Sequence, residues 1–89
     1  MLERELTVSN RLGLHARAAA RVVNLLSGFQ SHATLECRGR SVNAKSIMGV
    51  MLLAAAQGTR VTLKLEGPDE AQAMAAAEAL FANGFNEQS

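Results

Sequence analysis

The chain has 89 residues, 48% of them apolar and 19% charged, with a net charge of +1, one cysteine and neither Trp nor Tyr. A chain this short supports one small domain over residues 1–89 and excludes a second. Cys37, the lone cysteine, excludes an internal disulfide framework and a cysteine-rich zinc site. The longest strongly apolar run without a charge, Ile47 to Ala56, is about half the ~20 residues that span a bilayer.

The segment Met1-Leu2-Glu3-Arg4-Glu5 has acids where a secretory leader carries a basic start and an apolar stretch, so a cytoplasmic location is expected. The small net charge conceals an asymmetry. Residues 1–45 hold seven Lys or Arg against three acids, +4, whereas residues 46–89 hold two against five, −3. A local cationic patch facing an anion or an acidic partner fits that split better than a uniformly basic nucleic-acid binder.

Glu3 to Val8 alternates with Leu6 and Val8 on one side, which predicts a half-buried first strand. From Ala16 the period changes to helical, with Ala19, Val22, Val23 and Leu26 on one face and Arg17, Arg21 and Asn24 on the other, ending near Gly28. Ala33, Leu35 and Cys37, then Val42 and Ala44 beyond a turn at Gly39, predict a hairpin. Ser46 is placed to cap a second helix, with Ile47, Val50, Met51 and Ala54 on its inner face, Met48, Leu52 and Ala55 on the other, and a stop at Gln57-Gly58. Val61, Leu63 and Leu65 mark the fourth strand. Gly67-Pro68-Asp69-Glu70 opens a last helix with proline in its first turn, lined by Met74, Ala77 and Phe81 and closed at Asn83-Gly84. The order βαββαβα predicts an α+β open-faced β-sandwich, a four-stranded antiparallel sheet with three helices on one face.

His15 falls where the first helix begins. At an N-cap its ring meets free backbone amides, and the helix dipole disfavours the imidazolium by about 0.3–1 kcal/mol, leaving a neutral, nucleophilic ring. The amides of Ala16 and Arg17 and the Arg17 guanidinium suit phosphoryl oxygens, with Arg11 and Arg21 extending the positive field. His32 lacks such neighbours and is expected in solvent. Cys37, on the apolar phase of its strand, is expected in the core. No metal-ligand spacing recurs near either histidine, and no cofactor is implied.

Gly13-Leu14-His15-Ala16-Arg17 and Asn43-Ala44-Lys45-Ser46-Ile47-Met48-Gly49-Val50-Met51 resemble the two signatures of the HPr family, the histidine-containing phosphocarriers of the bacterial phosphoenolpyruvate-dependent phosphotransferase system. The likeness extends to Ala54-Ala55-Ala56-Gln57-Gly58-Thr59 and Leu80-Phe81-Ala82-Asn83-Gly84-Phe85. It implies a stoichiometric carrier rather than an enzyme, in which His15 accepts a phosphoryl group on Nδ1 from phospho-enzyme I and passes it to an enzyme IIA domain. Ser46 corresponds to the serine phosphorylated by a regulatory HPr kinase/phosphorylase, and its N-cap position reads equally as a cap alone. Ile47, Met48, Met51 and Leu52, with Ala20 and Arg21, are the expected docking surface of a monomer. Where the family usually has proline, this chain has Ala18, which leaves the first turn freer in the unfolded chain. A regulatory phosphocarrier of the nitrogen-related branch is the nearer alternative. An RNA-binding βαββαβ sheet is the distant one, since Phe29, Phe81 and Phe85 all lie off the predicted strands.

Overall fold

Alternation of apolar and polar side chains produces four strands in the computed structural model, which describes residues 1–87. They are β1 (Leu2–Thr7), β2 (His32–Cys37), β3 (Arg40–Asn43) and β4 (Arg60–Glu66), in one antiparallel sheet of order β1-β4-β2-β3. Register sets Leu6 opposite Val61, Leu35 opposite Leu63 and Ala33 opposite Leu65, all on the buried face. The alternate residues Glu5, Thr62, Lys64 and Glu36 stand on the other, uncovered face.

The buried face is covered by helices α1 (Ala16–Ser27), α2 (Ile47–Leu52) and α3 (Glu70–Ala82). Ala19, Val22, Val23 and Leu26 of α1 and Met74, Ala77 and Phe81 of α3 enter one core with the sheet residues. A fully buried Leu such as Leu35 or Leu63 contributes about 1.5–3 kcal/mol. Cys37 is buried and free, and His32 is exposed at the start of β2. No helix among the described residues is long and apolar enough to cross a membrane.

Two local readings need correction. Helix α2 ends at Leu52 rather than at Gln57, and of its expected inner face only Val50 is buried, whereas Ile47, Met51 and Ala54 are exposed. Ala54 adopts φ 49, a left-handed conformation that stops the helix and turns Leu53 and Ala55 inward. The Arg40 guanidinium donates to the Leu52 carbonyl at 2.9 Å, at the negative end of the short helix. Pro68 lies outside the last helix, because Asp69 is the cap residue and Glu70 the first helical one. The Asp69 carboxylate instead accepts from the Gln30 and Ser31 amides and the Ser31 hydroxyl, joining the loop after α1 to the start of α3. The last helix closes at Asn83, as expected. A 3-10 turn, Gly84–Asn86, follows, and it drives Phe85 into the core with its ring 4.8 Å from that of Phe81.

Candidate functional site

The segment between β1 and α1 is held from two sides. The Leu14 amide donates to the Ala55 carbonyl at 2.9 Å, and the buried Asn10 side chain donates to the Gly13 carbonyl at 2.8 Å. Gly13 has φ +72, and a Cβ there would stand 2.4 Å from the Ala55 oxygen, so no larger residue fits this approach. The turn that shortens α2 thus supplies the backing for the loop that carries His15.

His15 is the N-cap of α1, with extended backbone, φ −76 and ψ −178. The Arg17 amide donates to His15 Nδ1 at 3.3 Å, and the His15 carbonyl accepts the first helical bond from Ala19. The other ring nitrogen, Nε2, lies 2.6 Å from Glu87 Oε2. Because Nδ1 accepts and a carboxylate needs a donor, the neutral ring carries its proton on Nε2 and a lone pair on Nδ1. That is the protonation state of a nitrogen nucleophile.

Around the ring is an open hollow of about 850 Å³ lined by Leu12, His15, Ala16, Arg17, Arg21, Asn86 and Glu87. Arg17 is exposed and makes no ion pair among the described residues, so its guanidinium is available to an anion in the hollow. The other expected cations differ. Arg21 donates to the Phe85 carbonyl and is half-buried, Lys45 donates to the Phe29 carbonyl at 2.8 Å, and Arg11 lies outside the hollow's lining. The positive field at His15 is therefore carried by Arg17, Arg21 and the helix start rather than by a broad patch.

Glu87 brings a negative charge to the same place. A hydrogen bond from Asn10 at 2.6 Å, opposed by burial and reinforced by His15, holds its carboxyl below the usual carboxylate range. Sequence reading missed Asn10, Phe85 and Glu87 as site residues. Glu87 is separated from His15 by 72 positions, and only the apolar Phe85 after Asn83-Gly84 signals that the tail returns to the core.

Ser46 caps α2 with its hydroxyl accepting from the Gly49 amide at 3.1 Å. Beyond it, Met48 and Leu52 are 70% and 59% exposed, and Ile47 and Met51 are also exposed. Met51 lines a second hollow, about 300 Å³, together with Leu12, Leu14, His15 and Ala54. The apolar face of α2 is thereby continuous with the rim of the His15 site, and Leu12, 64% exposed, extends it. Ala20 is half-buried on α1. Among the described residues no group of three or more His, Cys, Asp or Glu side chains comes together as a metal would require.

Residues 2–83 match the family model described as the PTS HPr component phosphorylation site. The chain is 62% identical over 87 residues to the phosphocarrier protein HPr of Xylella fastidiosa strain Temecula1, covering 98% of each chain. Its fold matches a crystal structure of HPr-C-His from Thermoanaerobacter tengcongensis at TM-score 0.95, with 43% identity and complete coverage of both chains. A structure of an HPr dimer from the same organism aligns at TM-score 0.78 and 44% identity, over 98% of this chain and 100% of the other. Together with the open-faced sheet and the histidine at a helix start, these likenesses place the chain in the HPr family of phosphotransferase-system phosphocarriers.

Proposed function

We propose that the chain accepts a phosphoryl group on Nδ1 of His15 from phospho-enzyme I and passes it to a histidine of an enzyme IIA domain. It does so in the cytoplasm as one monomeric domain spanning residues 1–89, without a metal or cofactor. It is consumed and regenerated stoichiometrically rather than acting as an enzyme. The observation that carries this reading is the cap itself, in which Nδ1 accepts the Arg17 amide while Nε2 faces a carboxylate. When Nδ1 is phosphorylated, the Arg17 amide is released to a phosphoryl oxygen, alongside the Ala16 amide and the Arg17 guanidinium. The site is open, as a carrier visited by two partner active sites requires.

Partners dock on Ile47, Met48, Met51 and Leu52, with Ala20 and Arg21 at the border. Exposed methionines adapt to more than one partner surface. Phosphorylation of Ser46 by an HPr kinase/phosphorylase adds charge about −1.5 to −2 beside this face. The helix tolerates an anion at its start, while an acidic partner does not. Nothing favours the nitrogen-related branch. The RNA-binding reading lacks its stacking platform, because Phe81 and Phe85 are buried and Phe29 packs against the core on the helical side.

Incubation with phosphoenolpyruvate and enzyme I, followed by mass analysis before and after acid, tests the reading. A phosphoramidate is acid-labile and a phosphoserine is not. The parent and His32→Ala should each gain one acid-labile phosphoryl group and His15→Ala none. Retention of the acid-labile group in His15→Ala contradicts the assignment.

A further inference from the structure

We propose that Glu87 is the positioning carboxylate of the phosphoryl transfer, holding the His15 proton on Nε2 and balancing the positive charge that the ring acquires when Nδ1 is phosphorylated. The inference rests on the function proposed above and deepens it. Three observations carry it. The Glu87 side chain is only 7% exposed, and its Oε2 lies 2.6 Å from Nε2, so the contact is shielded from water on the ring edge away from Nδ1. Its Oε1 takes a second hydrogen bond from Asn10 Nδ2 at 2.6 Å. Asn10 also gives Nδ2 to the Gly13 carbonyl, and its own Oδ1 is buried without a partner.

The orphaned oxygen is informative. Turning the amide over would set Oδ1 against two acceptors, so the side chain is committed to donating even though a buried carbonyl is left unsatisfied. Asn10 therefore fixes the Glu87 carboxylate, and through it the ring. Phe85, fully buried, anchors the turn from which Glu87 projects, and Arg21 holds the Phe85 carbonyl.

The Nδ1 lone pair forms the new N–P bond, and the donor's bond to phosphorus breaks with its electron pair leaving on the donor. The Nε2 proton stays in place. The ring then carries a positive charge, which the adjacent carboxylate offsets, and return of the ring to neutrality drives the onward transfer. The arrangement is that of a catalytic histidine oriented by a carboxylate on its second nitrogen.

The test uses the full chain as parent, Glu87→Gln, Glu87→Ala and Glu78→Gln, the last removing an exposed carboxylate elsewhere on α3. Nitrogen-15 NMR of the imidazoles reports the proton position, and labelling with phosphoenolpyruvate and enzyme I reports the rate. The parent and Glu78→Gln should show a slowly exchanging Nε2 proton on His15 and label at equal rates. Glu87→Gln should keep that proton signal with its one amide oxygen turned to Nε2, yet label roughly tenfold more slowly because the charge is gone and its NH2 now faces the Asn10 donor. Glu87→Ala should lose the slow exchange and label no faster than Glu87→Gln. Labelling of Glu87→Gln at the parent rate, or an Nε2 proton that exchanges equally slowly in Glu87→Ala, overturns the proposal. A parent that takes no phosphoryl group on His15 overturns the underlying function instead, and the proton signal then still decides the positioning alone.

Discussion

Two helices of this chain begin on a side-chain cap near the same surface, yet their caps are built differently. Ser46 is a simple cap: one hydroxyl accepts one amide at 3.1 Å on a six-residue helix whose outer face is apolar and exposed. His15 caps a twelve-residue helix through a longer 3.3 Å bond, while its second nitrogen is fixed by a carboxylate from the far end of the chain. A weak bond at Nδ1 and a tight one at Nε2 leave the first nitrogen the freer of the two, as the proposed phosphoryl transfer requires. The Ser46 hydroxyl has no such preparation, so the phosphorylation proposed there relies on a separate kinase.

Removing what seats the tail should disturb the His15 cap most severely. Phe85 is fully buried against Phe81, so Phe85→Ala should cost about 3–5 kcal/mol in denaturant unfolding. An unchanged midpoint would show that the tail is dispensable and that the two caps differ less than described. Next comes Arg17→Ala, which should slow phosphoryl transfer about 10²-fold, as loss of one anion-stabilising donor does. Because the side chain is exposed, stability should shift by under about 0.5 kcal/mol. Equal transfer rates would remove Arg17 from the chemistry.

Ser46 sharpens the contrast from the other side. Ser46→Ala should lose about 1 kcal/mol of stability as a lost cap, with little change in His15 labelling. Ser46→Asp should label more slowly, with a deficit that shrinks as salt rises. If Ser46→Ala labels as poorly as Ser46→Asp, the serine acts as a contact and not as a charge switch. The smallest effect belongs to Ala18→Pro. The Ala18 amide has no hydrogen-bond acceptor among the described residues, so the ring should stabilise the chain by about 0.4–1 kcal/mol through its unfolded state. A loss of stability in thermal unfolding would mean that this buried position does not admit the ring.

Much of this site was legible because its signals are local. Alternation in Val61, Leu63 and Leu65 gave β4, the change of period at Ala16 gave the start of α1, and that start put His15 at a cap. Ser46 was legible for the same reason. Helix α2 was misread because its apolar residues satisfy a helical pattern on several faces, and the left-handed Ala54 that ends it is invisible to periodicity. The failure at Pro68 has a similar origin, since Asp69 is held by the distant Gln30 and Ser31. Glu87 and Asn10 were out of reach because their contact spans 77 positions. A carboxylate near a terminus carries no sequence signature of the partner it meets.

In this arrangement Nδ1 is the open nitrogen of His15 and Nε2 the covered one. Nitrogen-15 and phosphorus-31 NMR of the phosphorylated chain, with labelled histidine, tests it directly through the one-bond coupling between phosphorus and the nitrogen that bears it. The predicted result is phosphorus coupled to Nδ1 of His15, with a proton retained on Nε2. Coupling to Nε2, or phosphorus on His32, would reverse that assignment.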